Sequence, residues 1–163
     1  MWHPSASQRA CLLRRSLSPC PNPLTLYAIP SLAHVASMIH ELHNLRVTVD
    51  RVVFAPHLDA PPERPYPFVY FITIHNESDK TVTLKGRKWV VTDSQNQSVV
   101  VEGEGVVGKF PTLSPGESFS YNSYHVTASD SVAQGAFLAL TEENVAVFAR
   151  IPPFALVTPK GGA

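Results

Sequence analysis

From Tyr66 to Asn76 the chain reads Tyr-Pro-Phe-Val-Tyr-Phe-Ile-Thr-Ile-His-Asn, and this run limits the fold more than any other. Phe68, Tyr70, Ile72 and Ile74 share one parity, while Val69, Phe71, Thr73 and His75 share the other. Successive side chains of a strand point to opposite faces, so this period of two specifies a β-strand. Both parities are apolar at its start, which places the strand inside a sheet rather than at an edge.

Other blocks repeat the pattern. From Leu45, Val47, Val49 and Val53 alternate with Thr48, Asp50 and Val52, with Arg51 on the apolar parity. Pro56, Pro61, Pro62, Pro65 and Pro67 then define an extended loop, because proline donates no ladder hydrogen bond. The polar stretch Asn76–Lys80 reads as a turn, so Thr81–Asp93 is expected to pair back on the Tyr66 strand. Within that second strand Val82 and Leu84 oppose Trp89 and Val91 in parity, and a bulge near Lys85-Gly86-Arg87 returns both pairs to the core. Val99–Val101 is a short strand, and Ser114-Pro115-Gly116-Glu117 is a type II turn. Phe119, Tyr121 and Ser123 alternate with Ser118, Ser120 and Asn122. Val132–Thr141 and Val145–Ile151 form a last pair, with Phe154–Val157 as a short edge. About seven strands separated by turns make an all-β fold, a β-sandwich, with a closed barrel as the alternative. Phe68, Ile72, Trp89 and Phe119 are its expected core.

A chain of 163 residues holds one such domain and an extension. Residues 1–42 carry Arg9, Arg14 and Arg15, the interrupting prolines Pro19, Pro21, Pro23 and Pro30, and no acid before Glu41. They read as a basic leader or as a disordered start ahead of an initiator at Met38, with a short helix over Leu32–Leu42. The domain is expected at 43–159, followed by a tail at 160–163. Cys11 and Cys20 both precede it, so the domain needs no disulfide and suits the cytoplasm. No apolar run of about 18 residues offers a membrane-spanning helix, so no membrane partner is expected. Zero formal net charge and a pI near 7.1 argue against a nucleic-acid partner.

Gly103, Gly105 and Gly108 have the spacing G-x-G-x-x-G. A dinucleotide fingerprint must open a helix, and Pro111 and Pro115 forbid one here. A helix-free anion nest of backbone N–H groups, with Lys109 adding charge, stays open as a ligand-binding candidate for pyrophosphate or a nucleotide phosphate. Glu102 and Glu104 oppose it. The seven histidines include His57, His75 and His125 and show no metal-ligand spacing, so no metal site and no cofactor are expected. Catalytic residues are not expected either: there is no G-x-S-x-G elbow, and the neighbours Ser123, Tyr124 and His125 on one strand are read as facing opposite ways.

The region from about Leu45 to Pro159 resembles the ApaG (CorD) family. The resemblance rests on Val47-Thr48-Val49, on Ile72-Thr73-Ile74-His75-Asn76 and on Gly86-Arg87-Lys88-Trp89-Val90-Val91-Thr92-Asp93. It also rests on Val101–Gly108 with Pro111, Leu113, Pro115-Gly116-Glu117, Phe119, Tyr121 and Ser123, and on Ile151-Pro152-Pro153-Phe154. It implies a fibronectin type III-like (immunoglobulin-like), antiparallel sandwich and a non-enzymatic binding module for a protein partner or a small anion. It also implies a link to cobalt and magnesium resistance, so an accessory factor contacting divalent cations is the alternative; an enzyme of nucleotide pyrophosphates ranks last. Lys88 departs from the family's Arg-His-Trp.

Overall fold

The computed structural model describes residues 39–159. The expected extension, apart from its last four residues, and the tail at 160–163 lie outside them. Nine strands follow in order: β1 (His40–Glu41), β2 (Leu45–Phe54), β3 (Tyr66–Asn76), β4 (Val82–Asp93), β5 (Ser98–Glu104), β6 (Thr112–Leu113), β7 (Ser118–Thr127), β8 (Ser131–Thr141) and β9 (Ala146–Leu156). Seven are long, and β1 and β6 have two residues each. They form two layers, β2-β3-β7 and β1-β9-β8-β4-β5, with β6 also on β4. This is the β-sandwich expected from the strand pattern, consistent with the fibronectin type III-like type that the resemblance implies.

The alternation of β3 does what it dictates. Phe68, Tyr70, Ile72 and Ile74 are buried, and β3 is the central strand of its sheet. They meet Val82, Leu84, Trp89, Phe137, Ala139 and Val147 of the other layer. Phe68, Ile72 and Trp89 are core as expected, and Phe119 packs half-buried against them.

The partner of β4 differs from expectation. It does not fold back on β3 but crosses to the other layer, between β8 and β5. The crossing is held from within by Asn76, which is fully buried. Its amide donates to Lys80 O at 2.7 Å and Leu113 O at 2.8 Å, and its Oδ1 accepts from Ser78 Oγ at 2.6 Å. A buried amide with several partners fixes the chain's exit direction more firmly than a surface turn does.

The bulge in β4 is as expected: the register shifts between Leu84 and Gly86, so Lys85 is the extra residue and Val82, Leu84, Trp89 and Val91 all face inward. A second bulge in β2 was not expected. The register shifts between Val49 and Arg51, leaving Asp50 outside the ladder, where its carboxylate accepts from Thr48 Oγ1 at 2.9 Å and Thr73 Oγ1 at 2.6 Å. Past it the parity inverts, so Val52 and Phe54 pack on the core while Val53 is exposed.

The helix expected over Leu32–Leu42 is corrected at its described end. His40–Glu41 is a strand parallel to β9, Leu42 N donates to Phe148 O at 3.1 Å, and Arg150 pairs with Glu41 at 2.8 Å. The unpaired edge of β9 offers a ladder that outweighs a weak local helical tendency. The rest of that segment lies outside the described residues. The expected Val145–Ile151 strand and Phe154–Val157 edge are one strand, β9, irregular at Pro152-Pro153.

Candidate functional site

The three glycines occupy three different settings. Gly103 is a strand residue of β5 opposite Arg87, whose guanidinium lies against it; a Cβ there would sit 3.0 Å from Nη1 and Nη2. Gly105 has φ 58°, and its Cβ would meet Lys109 O at 2.3 Å, so only glycine fits. Gly108, at φ 72°, is a turn residue with open space around it.

Val106 and Lys109 bond each other both ways, N to O at 2.8 and 3.0 Å, around Val107 (φ 50°) and Gly108. Two central residues with positive φ are what a tight type I′ turn needs. A β-branched residue in that region is a strained one. The turn folds Val106 fully into the core and leaves Val107 and Phe110 52% exposed.

All four candidates, Gly103, Gly105, Gly108 and Lys109, therefore lie in one bend. Its N–H groups are partly taken up: Gly105 donates to Lys85 O at 2.7 Å, and Val106 and Lys109 donate to each other's carbonyls. Arg87 Nη1 holds the bend by donating to the carbonyls of Glu104 at 3.0 Å and Gly105 at 3.1 Å. No helix follows; the chain runs through Pro111 into β6. Lys88, the residue that departs from the family pattern, faces Glu102 across the β4–β5 pair and bonds it at 2.8 Å.

Beside the bend, a cleft of about 670 Å³ opens between β4–β5 and β7. Arg87, Trp89, Val91 and Asp93 of β4 line one wall; Ser123, His125 and Thr127 of β7 line the other. Arg64 reaches it from the proline-rich loop. On β7 the inward parity reads Tyr121, Ser123, His125, Thr127, so polar atoms stand where the same parity elsewhere carries apolar ones.

Three cleft residues, and Tyr121 beside Tyr70, hold buried polar atoms with no hydrogen-bond partner among the described residues: Trp89 Nε1, His125 Nε2, Thr127 Oγ1 and Tyr121 Oη. They are neighbours. The rings of Trp89 and His125 lie 5.0 Å apart, Tyr70 is 4.9 Å from His125, and Tyr121 is 6.4 Å from Tyr70.

Burial sets the protonation states. It pushes the His125 imidazole down to about 4, so the ring is neutral at pH 7. It pushes the Tyr121 phenol far above its ordinary range, with Tyr70 adding to the rise and the charge of Arg87 opposing it. Tyr70 is raised by burial too, partly offset by a hydrogen bond with Ser123 and by Arg87.

Ser123 and His125 are two apart on one strand and share the cleft-facing side, contrary to the sequence reading that set them on opposite faces. His125 Nε2 still bonds no hydroxyl, so they form no Ser–His pair through that nitrogen. His75 lies elsewhere, with Nε2 3.1 Å from Thr48 Oγ1. No three His, Cys, Asp or Glu side chains gather among the described residues. Sequence reasoning passed over Arg64, His125 and Thr127 as site residues; the signal was the polar inward parity of β7.

A family model described as the ApaG domain matches residues 56–139. Protein ApaG of Shewanella sediminis is 44% identical over 101 residues, covering 61% of this chain and 80% of the relative. Protein ApaG of Rhodospirillum centenum is 39% identical over 119 residues, covering 72% and 91%. A Bordetella pertussis crystal structure named for ApaA is similar with a TM-score of 0.62 and 28% identity, covering 71% of this chain and 95% of that one.

Proposed function

The chain belongs to the ApaG family, and from that premise we propose that it is a non-enzymatic binding module that docks a protein partner along β5 and the turn after it. One observation carries this reading. Val100 (53% exposed) and Val101 (40%), on the two faces of edge strand β5, and Val107 and Phe110 (both 52%) in the turn that follows it leave four apolar side chains exposed along one edge of the sheet. Edge strands with free backbone groups and exposed apolar side chains are templates for an added strand. The strained Val107 supports the same reading, because local strain concentrates where a loop presents itself to a partner.

The partner fitted by this edge is an extended polypeptide segment with alternating apolar side chains. A pyrophosphate-like anion at Gly103, Gly105, Gly108 and Lys109 has less support, since three of the bend's amides already serve carbonyls and Glu102 and Glu104 flank it. Divalent-cation contact has no ligand cluster behind it among the described residues.

Photo-crosslinking in cells tests the reading. A photoreactive side chain at Val100 or Phe110 should give one discrete protein adduct, absent when the probe stands at Val132 or Val145. The adduct should disappear on Val101→Asp. Equal labelling from all four positions would overturn it.

A further inference from the structure

Two of the concavities on this sandwich differ in one respect. The larger, about 900 Å³, lies between the β1–β2 region and β8–β9. Its charged groups are paired: Arg46 with Glu77 at 2.6 Å and Arg150 with Glu41 at 2.8 Å. The cleft between β4–β5 and β7 holds polar groups that lack partners. Trp89 is 1% exposed and Thr127 3%, yet indole Nε1 and hydroxyl Oγ1 bond nothing among the described residues.

Leaving one such group buried and unbonded costs about 1–3 kcal/mol, so three in one cleft are not tolerated without an occupant. Water is one occupant. The make-up of the walls favours another.

An indole N–H is donor only, and a threonine hydroxyl donates freely. Arg87 and Arg64 add two positive charges against the single acid Asp93. Asp93 Oδ1 already accepts from the N–H groups of Gln95 at 2.9 Å and Gln97 at 2.8 Å. The wall is thus rich in donors and positive, and Tyr70, Trp89 and His125 make it aromatic. Its volume falls in the range of small-molecule sites.

We infer that this cleft is a binding site for a small organic anion, a carboxylate or phosphate on a planar ring, whose acidic group is taken by Trp89 Nε1, Thr127 Oγ1 and Arg64. This inference stands apart from the protein-docking reading of β5 and survives its failure. Trp89 Nε1 and Thr127 Oγ1 are shielded from solvent, so the cleft walls have to open for the anion to reach them.

The test is an NMR titration of the full chain with four probes: benzoate, phenyl phosphate, inorganic phosphate and benzamide. The Trp89 indole N–H, identified by its loss in Trp89→Phe, is the readout. Benzoate or phenyl phosphate should shift it saturably, and the better of the two identifies the acidic group. Benzamide, neutral and of the same shape, should leave it in place. Inorganic phosphate should bind at least tenfold more weakly than phenyl phosphate if the ring contributes. Arg64→Gln should weaken the bound probe about tenfold, the size of one charge-assisted hydrogen bond. Thr127→Val, which keeps shape and fold, should weaken it as well. No saturable shift with either aromatic anion, or an equal response to benzamide, would overturn the assignment and leave the cleft to water.

Discussion

The two ends of this sandwich are built from the same strands in different ways. At the end where β4 begins, Val82 and Leu84 meet Ile74, Leu113 and Val106, all nearly or wholly buried. The glycine turn seals that end by driving Val106 inward, and Asn76 satisfies every polar group it brings in. At the end where β4 finishes, Trp89 and Asp93 face His125 and Thr127 across a cleft where Trp89, His125 and Thr127 each hold a buried polar atom without a partner among the described residues. The inward parity is kept at both ends; only its chemistry changes. A chain that folds by consistent local rules and breaks them in one place marks that place as serving something other than stability.

The comparison breaks most readily at the closed end. Leu84→Ala should cost about 3–4 kcal/mol in urea denaturation, since a fully buried leucine leaves a cavity its neighbours cannot fill. A cost under about 1 kcal/mol would mean the closed end is as loose as the open one.

Acid probes the open end. His125 titrates near 4 when folded and near 6.5 when unfolded, so the unfolded chain binds the extra proton between those values. Stability is therefore full above pH 6.5 and falls as pH drops towards 4, by up to about 3 kcal/mol. His125→Gln should remove most of that slope.

The seal itself separates two glycines. Gly105→Ala meets a backbone oxygen as well as a left-handed φ and should cost about 2–3 kcal/mol by thermal denaturation. Gly108→Ala faces open space and should cost about 1 kcal/mol. Equal costs would show that the turn is not packed against the core. The smallest effect is a gain: Val107→Asn, the residue type a type I′ turn favours, should stabilise by about 0.5–1 kcal/mol while weakening any partner docked on β5.

Much of the closed end was legible in the sequence. The parity conflict between Leu84 and Trp89 demanded a bulge, and Lys85 is its extra residue. Pro115-Gly116 demanded a type II turn, and Gly116 has φ 86° with Glu117 N bonded to Ser114 O at 3.0 Å. Which strand lies beside β4 was not legible, because parity names the buried face and not the neighbour. The Asp50 bulge was hidden because Val52 and Val53 are both apolar and either parity looks acceptable. The cleft was half-legible: Tyr121, Ser123, His125 and Thr127 were on one parity, but polar residues on a strand suggest an outward face until the opposite sheet is in place.

The account turns on whether the polar groups of the open end serve the fold or an occupant, and Thr127→Val asks this most directly. The swap removes the unpartnered hydroxyl and keeps the shape, so urea denaturation without added ligand should show equal or higher stability, and the Trp89 indole N–H should need more of the aromatic anions to shift. A stability loss above about 1 kcal/mol with the response unchanged would show that Thr127 holds the structure together, and the contrast between the two ends would fail.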